Sequence, residues 1–150
     1  MSFTQRKYLS ILANHETRLW NSVDKALRKH NGPLTLGRFH TLAFIAEHDG
    51  EVRIQEISAG VDITVGAASR LVDRMVNDGL LTRTAHAHDG RSAWLSLSES
   101  GRGAFAHTEA LLDEILTEIF QEVDESTILA VTEGIRKIDQ ALRRFEEQKR

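Results

Sequence analysis

Cysteine is absent from all 150 residues, which excludes disulfides, thiolate zinc sites, iron–sulfur clusters and any cysteine-based redox switch. Proline occurs once, as Pro33, so little in the chain forces a helix to stop. Aromatic residues make up only 6%, fewer than an all-β domain needs to cover its sheet faces. No run approaches the roughly 20 apolar residues that a membrane span requires. The first ten residues carry Arg6 and Lys7 among polar neighbours, with no apolar stretch of a leader. The expectation is a soluble, cytoplasmic protein with no membrane association. With 41% hydrophobic residues it can bury a core, and abundant Ala, Leu, Glu and Arg favour helix.

Catalytic signatures are missing as well. There is no GxSxG, no phosphate-binding P-loop and no GxGxxG opening a helix after a strand, so no enzymatic activity and no cofactor are expected. The net charge of −3 is not the basic footprint usual for nucleic-acid binding. Its distribution matters more than its sum. Between Gly103 and Ile135 there is no Lys or Arg, while Glu109, Asp113, Glu114, Glu118, Glu122, Asp124, Glu125 and Glu133 are acidic. That stretch reads as a solvated helical face and masks a basic group formed by Arg70, Arg74, Arg83 and Arg91.

Apolar spacing divides the chain into elements. Leu9, Leu12, Leu19, Trp20, Val23 and Leu27 recur at three- and four-residue steps, predicting one helix over the first thirty residues. Asn31-Gly32-Pro33 ends it, with Gly suited to the left-handed C′ position. Thr35 can cap a second helix whose inward candidates are Phe39, Leu42, Ala43, Ile45 and Ala46, closed by Asp49-Gly50. Residues 53 to 60 form a short amphipathic segment, and Gly60-Val61-Asp62 a tight turn. Thr64 to Asn77 follows with Ala68, Leu71, Val72 and Met75 on one face, and Asp78-Gly79 stops it. From Leu80 the period changes to about 2. Residues 81–85 and 93–97 read as strands around a polar centre in which Asp89-Gly90 marks a hairpin turn. Ser98 to Gly101 opens another helix to about Glu122, and Asp124 can cap a last one through Phe145.

The order helix, turn, helix, hairpin has a mechanical meaning. Two helices joined by a short turn present the second outward, at a width that fits the DNA major groove. With Ala68, Leu71, Val72 and Met75 inward, the opposite face shows Thr64, Gly66, Ala67, Arg70, Asp73, Arg74 and Asn77. Small residues near its start allow close approach to the groove floor, and Arg70 and Arg74 can reach guanine edges or phosphates. Arg91 at the hairpin tip suits the adjacent minor groove, which attracts arginine.

The run Ile63-Thr64-Val65-Gly66-Ala67-Ala68-Ser69-Arg70-Leu71-Val72-Asp73-Arg74-Met75, then Gly79-Leu80-Leu81-Thr82-Arg83, Asp89-Gly90-Arg91 and Leu97-Ser98-Glu99-Ser100-Gly101-Arg102, resembles the MarR family of bacterial winged helix-turn-helix transcriptional regulators. Leu34-Thr35-Leu36-Gly37-Arg38-Phe39 resembles that family's entry into its second helix. The resemblance implies a mainly α fold with a small β-hairpin wing. The winged helix-turn-helix lobe would cover about 34–102, and dimerisation helices about 1–30 and 103–148. It implies a homodimeric repressor on a palindromic operator in double-stranded DNA. Thr64, Gly66, Ala67 and Arg70 would face the major groove, Ser69 and Arg74 would position the backbone, and Asp89 with Arg91 would shape and arm the wing. The chain departs from the pattern at Gly90, where many relatives carry a second basic residue, and by lacking a proline ahead of the wing. More of the affinity should then rest on the recognition helix.

The resemblance further implies release by a small aromatic effector in a cleft between the dimer helices and the lobe, where Trp20, His40 and Phe44 are the candidate lining residues. Each also fits an ordinary core or boundary role. The seven histidines show no HExxH-like spacing, and no metal site is assigned; His86 and His88 would share a side only in an extended tip. A monomeric helical bundle and a winged-helix module that binds protein instead of DNA fit the same layout. Oligomeric state and steep salt dependence of DNA binding separate these readings.

Overall fold

The computed structural model describes residues 2–48, 51–85 and 93–149. Six helices and two strands follow in the order α1 Ser2–Lys29, α2 Leu36–Glu47, α3 Ile54–Gly60, α4 Val65–Asn77, β1 Leu81–Ala85, β2 Ala93–Leu97, α5 Glu99–Ile119 and α6 Glu125–Glu147. The expected turns at Asp49-Gly50 and Asp89-Gly90, and with them Asp89, Arg91, His86 and His88, lie outside the described residues. The chain divides into two compact units, Met1–Ile115 and Leu116–Arg150.

The first unit is built around one apolar core. Leu42 and Ile45 of α2, Ile57 of α3, Ala68, Val72 and Met75 of α4, and Leu95 of β2 are completely buried together. Val23 and Leu27 of α1 are also buried, whereas Leu9, expected on the same face, is 65% exposed, and Ala46 of α2 is exposed too. Phe39 of α2 and Phe105 of α5 stack with ring centroids 4.9 Å apart. Both buried threonines are satisfied one turn back: Thr41 Oγ1 donates to the Gly37 carbonyl at 2.9 Å and Thr108 Oγ1 to the Ala104 carbonyl at 2.8 Å.

The helix ends show how side chains set the joints. Asp24 of α1 accepts the backbone N–H of Leu36 at 2.9 Å and pairs with Arg28, so the first helix caps the second. Thr35 and Thr64 occupy the N-caps of α2 and α4, accepting from Arg38 N at 3.3 Å and Ala67 N at 3.2 Å. The left-handed position after α1 belongs to Asn31, with φ 52°, and not to Gly32 as expected, because a short amide side chain also tolerates that conformation. Asp62 takes the same role, φ 54°, in the turn before α4. Gly60 serves a different purpose: a Cβ there would sit 2.0 Å from the Phe44 ring, which lies against it.

β1 and β2 pair antiparallel from Leu81↔Leu97 to Ala85↔Ala93. Val52, which falls outside every element expected from the sequence, extends this sheet. Its N–H donates to the Leu95 carbonyl at 3.0 Å and the Leu95 N–H returns the bond at 2.8 Å. The Ser98–Arg102 motif closes the hairpin against α4. Ser98 N donates to the Leu80 carbonyl at 3.0 Å, Ser98 Oγ donates to the Gly79 carbonyl and accepts from Gly101 N at 2.8 Å, and Arg102 Nη1 donates to the Leu97 carbonyl at 3.0 Å. Gly101 is required there, since a Cβ would lie 2.0 Å from the Leu80 carbonyl oxygen.

In the second unit α6 buries none of its residues. Asp124 holds its N-cap position without a side-chain hydrogen bond, unlike the expected cap; its carbonyl accepts Thr127 N at 2.9 Å instead. α5 stops at Ile119, short of the expected Glu122, where Val123 N turns back to the Phe120 carbonyl at 2.8 Å. Leu129, Val131, Ile135, Leu142 and Phe145 are all exposed. Among the described residues no helix is long and apolar enough to cross a membrane.

Candidate nucleic-acid interface

α4 is held by its inward face and presents the other. Ala68, Val72 and Met75 fix it in the core, while Thr64, Gly66, Arg70, Asp73, Arg74 and Asn77 are exposed and Ala67 and Ser69 are half-buried. Thr64 therefore has two jobs available: its oxygen caps the helix, and its O–H hydrogen remains free to donate. Arg70 folds back along the helix, so that a Cβ at Gly66 would be 3.6 Å from its Nη1. Arg74 Nε donates to the Arg70 carbonyl at 3.2 Å, which steadies its stem.

The basic group seen in the sequence divides in two. Arg83 of β1 is bound to Asp73 of α4 at 2.7 Å, and Arg38 of α2 to Asp78 at the C-cap of α4 at 2.6 Å. These pairs tie hairpin and α2 to the helix and neutralise two of its carboxylates. Arg70 and Arg74 have no carboxylate partner among the described residues, so α4 keeps two guanidinium groups that no ion pair neutralises. Neither ion pair is legible in the sequence, because each joins elements that local spacing treats separately. Arg91 and Asp89 lie outside the described residues.

A cleft of about 760 Å³ opens between α1, the first turn of α2 and α4. Trp20 and His40 meet in it edge to face, with ring centroids 6.3 Å apart. Val61, Ile63 and Leu71 supply apolar wall, and Arg38 and Arg74 line it as well. Phe44, expected beside them, is not part of this cleft; it packs on Gly60 and on the His48 ring, 4.2 Å away. Arg74 thus belongs to both α4 and the cleft. Among the described residues, no three His, Asp or Glu side chains gather where they could hold a metal ion.

A capped helix displayed through a short turn, beside a hairpin stitched to its C-terminus, is the architecture of a winged helix-turn-helix. Residues 33–92 match the model of the MarR family. That match and this fold make the chain similar to MarR-family transcriptional regulators. An HTH-type transcriptional regulator of Bacillus subtilis, YwhA, is 29% identical over 94 residues, covering 60% of this chain and 66% of that protein. The fold superposes on a mutant MarR of E. coli complexed with operator DNA with a TM-score of 0.74, at 17% identity over 87% of this chain and 95% of that one. It also superposes on the organohalide-sensing RdhR transcriptional regulator in its 2,4-dichlorophenol-bound form, TM-score 0.77, at 16% identity over 89% of this chain and 80% of that one.

Proposed function

We propose that this DNA-binding regulator is a cytoplasmic homodimeric repressor that lays α4 of each copy in the major groove of a palindromic operator. The observation that carries the reading is the outward face of α4, where Thr64, Gly66 and Arg70 stand exposed on a helix fixed from behind. Gly66 and Ala67 let the backbone close on the groove floor, Arg70 reads a base edge, Ser69 and Arg74 engage phosphates, and Asp89 with Arg91 forms the wing contact. Residues 34–102 are the DNA-binding lobe in this reading, and about 1–30 and 103–148 the dimerisation helices. The uncovered apolar stripe of α6 supports a second copy as its cover. The acidic run from Glu109 to Glu125 then faces away from phosphate.

Selection of bound fragments from random DNA tests this directly. A two-fold palindrome is expected, with half-sites about one helical turn, ~34 Å, apart. An unrelated or single-sided sequence would remove the dimeric docking. Arg70→Ala should weaken binding to the selected duplex about tenfold or more and Arg91→Ala less, because Gly90 leaves the tip short of basic charge.

The cleft favours an addition to that reading: a small aromatic effector seated against Trp20 and His40 releases the DNA. Its support is the edge-to-face pair at a cleft that Arg74 of α4 also lines, and the fold shared with a regulator solved with 2,4-dichlorophenol. Salicylate and chlorophenols should quench Trp20 and lower operator affinity together. Quenching without loss of affinity, or neither effect, would separate the cleft from regulation. Phe44 packs elsewhere, so Phe44→Leu is expected to leave the response unchanged.

A further inference from the structure

We propose that Arg53, whose guanidinium lies over the Trp94 ring, is a further contact to the DNA backbone, gripping the phosphate strand that runs between the groove occupied by α4 and the groove addressed by the hairpin. The Arg53 guanidinium carbon lies 4.7 Å from the centre of the Trp94 ring. Three constraints hold it there. Val52 is hydrogen-bonded both ways to Leu95, which sets Arg53 beside β2. The Arg53 N–H donates to Glu56 Oε2 at 2.8 Å, so the residue is fixed as the N-cap of α3. Trp94 stands on the face of β2 opposite to the buried Leu95, where it forms a shelf.

A guanidinium held over a ring face spends no N–H donor on a protein acceptor there. Arginine carries five N–H donors in one plane and no acceptor, so a ring beneath it does not compete with a phosphate at its side. Among the described residues no carboxylate pairs with Arg53, in contrast to Arg38 and Arg83. Its positive charge is therefore both oriented and uncommitted. The position suits the backbone because the first helix of a helix-turn-helix crosses the phosphates while the second lies in the groove. Arg53 sits at the start of that first helix and touches the wing strand, so it bridges the two elements that flank one stretch of backbone. This inference rests on the proposed docking of α4.

The experiment measures binding of the full-length chain to the duplex it selects from random DNA, across a salt series, together with thermal melting. Arg53→Ala should weaken binding about tenfold and lower the slope of log affinity against log salt by about 0.9 for each phosphate no longer neutralised. Arg53→Lys should keep most of the slope, since the charge stays, yet bind more weakly because the planar fork is gone. Arg70→Ala is measured beside them. If it weakens binding while Arg53→Ala leaves affinity and slope unchanged, the proposal is overturned and the Arg53–Trp94 pair is only a fastening between α3 and the hairpin. A lower melting temperature for Arg53→Ala with an unchanged slope overturns it in the same way. If Arg70→Ala is harmless too, the docking of α4 is what fails.

Discussion

In the winged lobe Leu42, Ile45, Val72 and Met75 have no exposed surface, whereas on α6 Leu129, Leu142 and Phe145 leave more than half of theirs in water. The residue types are alike and the helical spacing is alike. What differs is whether the same chain supplies the opposing face. α2, α3, α4 and β2 bury one another's apolar sides, so the lobe's fold follows from its own packing. α6 has an apolar side that nothing within its unit covers, so its stripe stays in water. Two kinds of amphipathic helix, indistinguishable by periodicity, thus end in different surroundings.

The sharpest way to break this contrast is at the closest backbone approach in the lobe. Gly101→Ala places a methyl group 2.0 Å from the Leu80 carbonyl oxygen, and backbone cannot swing aside as a side chain can. A loss of about 3 kcal/mol or more is expected, read as a lower denaturant midpoint. An unchanged midpoint would show that the joint between hairpin and α5 is looser than its hydrogen bonds suggest. Leu42→Ala and Leu142→Ala then test the two regions with one chemical change. The first empties a fully buried site and should cost about 3 kcal/mol. The second should shift protomer stability by less than about 0.5 kcal/mol while weakening self-association seen by sedimentation. Equal effects on stability would erase the distinction.

Much of the lobe is legible in the sequence, and the reason is local. Caps at Thr35 and Thr64, the stop at Gly79 and the change from helical to strand period near Leu80 are all carried by neighbouring residues. What is not legible joins residues far apart in the chain. Val52 reads as loop because a single bridge to Leu95 has no period. Asp73 and Arg83 read as two exposed charges because only the fold brings β1 alongside α4. Trp20 and His40 do share one cleft, but Phe44, one turn beyond His40, turns instead to fill the space that Gly60 leaves. A helix face narrower than one turn cannot be assigned from spacing alone.

A smaller effect separates capping from recognition. Thr64→Ala removes the acceptor for Ala67 N and should cost about 1 kcal/mol of stability. Thr64→Asn restores a cap acceptor with a different donor arrangement, so stability should return while binding to the selected duplex stays weakened. Recovery of both would assign Thr64 to capping alone.

The smallest expected change lies in the lobe's polar surface, where the contrast with its core is greatest. Asp73 and Arg83 are 54% and 40% exposed in their side chains, and such a pair contributes less than about 1 kcal/mol. Asp73→Asn should therefore barely move the melting curve. Its effect on DNA should be opposite in sign and easier to see. Removing a carboxylate from the outward side of α4 and freeing Arg83 adds net positive charge facing phosphate, so affinity should rise a few-fold and the salt dependence steepen by up to about 0.9 for each further phosphate neutralised. Weaker binding instead would mean that the pair sets the angle of the hairpin against α4. The position of the wing, more than its charge, would then govern the grip on DNA.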